Sequence, residues 1–141
     1  MHPSALPPQH QITFDPEWRI GLIEVDRQHA ALIATLNRLI ADDDAEPASE
    51  FFATVLTRLG RDLMAHFRHE ESCFVQLGVP QDLAAAHVAA HSDILSQWVG
   101  LNFELMRAQP HTRAGVLVVL RGWIADHIVA FDLGLKRYVP Q

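Results

Sequence analysis

His87-Val88-Ala89-Ala90-His91 is the stretch on which the reading of this chain turns. On a helix, residues four apart lie about 40° apart around the axis and one turn along it, so both imidazoles can reach one metal ion. The pair gains weight because the chain repeats the device. His66 and Glu70 share the spacing, His127 and Asp132 nearly share it, and His29 opens another amphipathic stretch. Five histidines and two carboxylates on four helical segments predict a binuclear metal site.

Working outward, each segment carries its polar residues on an apolar stripe. A first helix is expected from an N-cap at Asp26 to about Asp43, with His29, Leu32, Ile33, Leu36, Asn37 and Ile40 facing inward. A second opens at Pro47 and Ser49 and closes at Gly78-Val79-Pro80, and its inner face runs through Leu63, His66, Glu70, Phe74 and Leu77. His69 and Glu71 fall off that line, so periodicity selects His66 and Glu70 as the ligand pair. A third helix, from about Gln81 to Met106, points Leu83, His87, His91, Ile94, Trp98, Leu101 and Leu105 inward. A fourth, after Pro110-His111-Thr112, does the same with Val116, Leu117, Leu120, Ile124, His127 and Phe131. Asp132 lies about 140° from His127 on an ideal helix, so that helix must end or loosen near Phe131 to Gly134 for both to serve one cluster.

Four such helices with short connections predict an all-α, up-down-up-down antiparallel four-helix bundle. Ligands near the starts of the first and third helices and near the ends of the second and fourth then gather at one end of the core. Residues 1–14, rich in Pro, His and Gln, read as an extended N-terminal arm, followed by a short turn at Asp15-Pro16-Glu17. Imidazole suits Zn, Cu, Fe and Ni, and bridging carboxylates suit pairs of hard cations, which together favour iron over zinc or manganese. With two carboxylates and a hydroxide or oxide bridging, five histidines divide three and two. One coordination position then stays open for a small ligand. The surrounding Leu, Ile, Phe and Trp contain no general acid or nucleophile, which favours a small apolar gas over a polar substrate.

Composition narrows the alternatives. A chain of 141 residues with 49% hydrophobic content suits one domain with one core. The net charge of -6, with scattered Lys and Arg, gives no footprint for nucleic acid or an anionic membrane. The apolar run from Ala114 to Leu120 is too short to insert in a bilayer. The N-terminus has neither the basic nor the apolar region of an export signal, and the lone Cys73 suits a reducing compartment, so a cytoplasmic location is expected. Cys73 itself reads as a small buried thiol, and His2, His10, His69 and His111 as solvated side chains.

The segments Val25-Asp26-Arg27-Gln28-His29, His66-Phe67-Arg68-His69-Glu70-Glu71, His87 to His91, and Trp123-Ile124-Ala125-Asp126-His127 to Asp132 resemble the hemerythrins, specifically the single-domain bacterial type. The likeness extends from about Trp18 onward. It implies a pair of irons, one held by His87, His91 and His127 and the other by His29 and His66, bridged by Glu70 and Asp132. It also implies reversible binding of dioxygen or small anions, with Ile124 and Trp123 at the ligand pocket and Gln28 orienting a ligand. Storage or delivery of oxygen is the leading expectation, without enzymatic turnover. A sensor acting on a partner in trans, or a peroxidase-like or nitric-oxide-consuming enzyme, is the alternative.

Overall fold

The computed structural model describes residues 11–42, 46–107 and 110–140, and among them all regular structure is helical. Four helices form a bundle: α1 (Ile23–Ala41), α2 (Glu50–Leu77), α3 (Gln81–Met106) and α4 (Arg113–Arg121). The line of α4 continues through a π-helical turn, Gly122–Asp126, into the short α5 (His127–Ala130) and a 3₁₀ segment, Asp132–Tyr138. A 3₁₀ turn at Pro16–Trp18 precedes α1. Helix α1 packs on α2 and α2 on α3. The core between them holds Leu36, Leu39, Phe52, Leu56, Leu59, Leu117 and Leu120, all essentially fully buried.

The helix ends follow local chemistry. Ser49 Oγ accepts from Phe52 N–H at the start of α2, and Thr112 Oγ1 accepts from Gly115 N–H at the start of α4. Helix α2 stops at Gly78, whose φ of 72° is the left-handed conformation that glycine adopts without strain. Helix α1 begins four residues before the expected start, with its N-cap at Leu22 rather than Asp26. Asp26 lies inside its first turn and reaches back, accepting from Ile20 N–H at 2.8 Å and Gly21 N–H at 3.1 Å. The acidic end of α1, at Asp42, is unfavourable for the helix dipole. Arg113 on α4 supplies the compensating cation, donating to the carbonyls of Leu39, Ile40 and Asp42 at 2.8–3.0 Å.

The N-terminal arm is more than a covering strand where it is described. Ile12 is buried in the core, and its backbone N–H and C=O pair with the Asn37 side chain at 2.8 Å each. That pairing explains an amide on the inner stripe of α1. The rest of the proposed arm, residues 1–10, lies outside the described residues, as do Asp43 and Asp44. Two residues placed inward by periodicity are at the surface: Leu83 is 48% exposed and Phe131 is 36% exposed. Leu83 sits in the first turn of α3, on an open cavity it shares with Ala130 and Phe131, and Phe131 sits where the last helix has already ended.

The stretch Arg113–Tyr138 is long and apolar enough by composition to cross a bilayer, but half of its apolar window is buried within the bundle. Its buried half faces the core and carries His127 and Asp132 inward.

Candidate metal centre

All seven residues selected from sequence are buried, and they meet. They form two groups that share both carboxylates. One contains Glu70, His87, His91, His127 and Asp132, the other His29, His66, Glu70 and Asp132, with ligand atoms within 4.8 Å of one another in each. Each carboxylate turns one oxygen to each group. Glu70 Oε1 lies 2.9 Å from His87 Nε2 and 3.1 Å from His91 Nε2, while Oε2 lies 3.4 Å from His66 Nε2 and 3.6 Å from His29 Nε2. Asp132 Oδ1 lies 2.8 Å from His87 Nε2 and 3.3 Å from His127 Nε2, and Oδ2 lies 2.9 Å from His29 Nε2.

Those separations suit metal ligands. With metal–ligand bonds of about 2.1 Å, neighbouring ligands at right angles stand about 3 Å apart. Several of these close approaches also lack hydrogen-bond alignment. His29 Nε2, His66 Nε2, His127 Nε2, Glu70 Oε2 and Asp132 Oδ2 are buried without a hydrogen-bond partner. Orphaned buried donors and acceptors are costly, and one cation in each group would satisfy all five. The donor set therefore fits metal on its chemistry as well as its geometry.

The electrostatics agree. Burial alone would lower the His29 and His87 pKa values, but the carboxylates of Asp132 and Glu70 outweigh it and hold both at about 9. His66 goes the other way, because burial exceeds what Glu70 returns. Burial pushes Glu70 and Asp132 up, yet the surrounding imidazoles hold Glu70 well below the ordinary carboxylate range and Asp132 at about 2. The pocket is built for positive charge.

Local structure delivers each group. In the π-helical turn His127 N–H reaches back to Gly122 O, and Trp123, Ile124 and Ala125 are all buried. The helix then ends at Ala130, and Phe131, with φ -123° and ψ -54°, swings the chain so that Asp132 faces inward. This is the break that the His127–Asp132 spacing required. Phe131 itself lies over the site, stacked on His127 at 5.2 Å and tilted against His87 at 5.4 Å. Phe67 stacks on His91 at 4.0 Å.

Two outer contacts fix the imidazoles. Gln28 Oε1 lies 2.7 Å from His66 Nδ1, and Gln28 Nε2 donates to Glu24 at 3.2 Å. A carboxylate only accepts, so the amide must turn its oxygen to His66; Nδ1 then donates and Nε2 keeps its lone pair for metal. Glu71 Oε2 does the same for His91 Nδ1 at 2.7 Å. Periodicity set Glu71 aside as a ligand and missed this role. The signal that could have found it is chemical: a ligating imidazole needs an acceptor for its other nitrogen, and Glu71 flanks Glu70.

A cavity of about 10 Å³, room for one water-sized molecule, adjoins the two-histidine group. His29, His66, His127 and Asp132 form its polar side, and Leu32, Leu63, Phe67, Trp123, Ile124 and Ile128 enclose the rest. Trp123 is anchored there by Nε1–H donating to Gln97 at 2.9 Å. Trp18 and Trp98 do not line it, and the half-buried Cys73, bonded to His69 O, belongs to neither metal group. His111 is exposed and pairs with Glu104, and His69 is half-buried.

No curated protein and no solved structure matches the chain. The family described as Hemerythrin HHE cation binding domain matches residues 21–138, which include every residue of both metal groups. The protein therefore belongs to the hemerythrin family, as a cation-binding domain of the HHE type.

Proposed function

We propose that this domain holds two iron ions, bridged by Glu70, Asp132 and a hydroxide or oxide, and binds dioxygen reversibly for storage or delivery. The observation that carries the reading is the one-molecule cavity beside the two-histidine group, walled by six apolar side chains. Both histidines of the smaller group line it, but only His127 of the larger group does, which favours the smaller group as the one that takes an added ligand. A pair of ferrous ions, when bound, supplies the electrons that dioxygen uptake requires. The chain's own part is to admit a diatomic, exclude bulk water, and hold His66 and His91 in the ligating tautomer through Gln28 and Glu71. The cavity offers no proton donor beyond the ligands themselves, which supports binding over turnover.

The same reading takes the bundle as up-down-up-down, since residues early in α1 and α3 meet residues late in α2 and after α4. It places the protein in the cytoplasm, with dioxygen and small anions as its ligands. Iron loading under anaerobic conditions, followed by admission and removal of oxygen, tests it. Two irons per chain and an oxygen-dependent optical spectrum that reverses on deoxygenation are expected. One metal per chain, or a spectrum that oxygen changes irreversibly, overturns it.

A further inference from the structure

The outer partners of His66 and His91 differ in charge, and this difference has a consequence if the seven residues hold two ions as proposed above. Behind His91 stands Glu71, a full carboxylate 2.7 Å from Nδ1. Its side chain is 32% exposed, and among the described residues no Lys or Arg lies within ion-pair distance of it. Behind His66 stands a neutral amide, Gln28. The carboxylate that holds that amide, Glu24, already has its charge matched by Arg27, at 2.6 and 3.0 Å. On the same side of the cluster, His29 Nδ1 is buried with no acceptor among the described residues. A carboxylate accepting from an imidazole N–H makes the opposite nitrogen a stronger donor than an amide does. The three-histidine group thus has both the larger number of imidazoles and the one anionic support.

We infer that Glu71 and Gln28 act as positioning residues that make the two metal positions unequal, so that the three-histidine position fills first and empties last. Both histidines of the weaker position line the cavity, against His127 alone of the other three. An ion held loosely there keeps more capacity to bind an added ligand.

Stepwise affinities for ferrous iron, measured anaerobically against a competing chelator, test this. His127→Ala, which removes a ligand from the three-histidine group alone, identifies the step that belongs to that group. The parent is expected to bind two ions with distinct affinities. Glu71→Gln should weaken the tighter step by about 10- to 100-fold and leave the weaker within a few-fold, with Glu71→Asp recovering part of the loss. Gln28→Glu should tighten the weaker step. Equal affinities in the parent, or a Glu71→Gln effect on the weaker step or on both alike, overturn the inference. Uptake of a single ion by the parent overturns the two-ion reading and this inference with it, whereas two ions with unmoved steps in Glu71→Gln overturn the inference alone. Because Glu71 is partly exposed, loss of helical content in Glu71→Gln is not expected, and circular dichroism of the metal-free variant separates misfolding from a ligand effect.

Discussion

If the cavity takes dioxygen as proposed, Ile124 is a side chain placed to control it. It is 2% exposed, stands in the π-helical turn just before His127, and forms part of the cavity wall. Truncation to Ala removes part of the wall and core that Ile124 shares with Leu32, Leu63 and Trp123, and should cost about 2–4 kcal/mol of stability. It also opens the one-molecule cavity to water and anions. Ile124→Ala is therefore expected to keep two irons and bind oxygen, yet autoxidise clearly faster than the parent in a stopped oxygenation assay. Equal rates would assign the guarding role to Trp123. Phe131 acts on the other side, where it covers His87 and His127 rather than the cavity.

Between elements, the packing of the Trp98 indole of α3 against α2 depends on Gly60. A Cβ there would lie 2.0 Å from Trp98 Cε2, and the indole is fixed by Nε1–H donating to Leu56 O at 2.9 Å. Ala is the better helix former by about 1 kcal/mol, but overpacking costs about 1–3 kcal/mol, and the rigid ring has no easy retreat. Gly60→Ala should lower the melting temperature, and adding Trp98→Leu should restore part of it; a stabilised Gly60→Ala would show that the helices separate freely. Sequence pattern made the stripes and ligands legible because both depend on one helix at a time. His66, Glu70, His87 and His91 follow from a period of 3.6 residues, and the break before Asp132 follows from ligand geometry. Hidden were contacts that depend on how elements approach: Trp98 over Gly60, Arg113 on the end of α1, Ile12 against Asn37, and Glu71 behind His91. The π-helical turn was hidden too, since Gly122–Asp126 carries no residue that forbids an ordinary helix.

For the molecule as a whole, metal and fold are linked, because ligands from all the long helical stretches converge on one cluster. His87→Ala or His127→Ala should lose metal and melting temperature together, read by metal analysis beside thermal denaturation. The metal-free protein should show a distinct pH dependence. His29 and His87 are raised from 6.5 to about 9, so the stability they contribute is fully present below about 6.5 and lost as pH rises through about 9. Asp132, held at about 2, contributes stability that persists above its unfolded value of 3.8 and fades only as pH falls through about 2. Melting of metal-free protein should thus fall between pH 6.5 and 9, while loaded protein, in which cations replace those protons, should hold steady; parallel curves would contradict the linkage. The wide turn at Gly122–Asp126 bears on the history of such a molecule. A π-helical turn is one residue added to a helix, and each residue turns the chain about 100°. Deleting Ala125 should therefore leave a helical bundle whose last ligands face elsewhere, so that a change of length, with every ligand side chain kept, is a second short path by which a bundle like this gains or loses its metals.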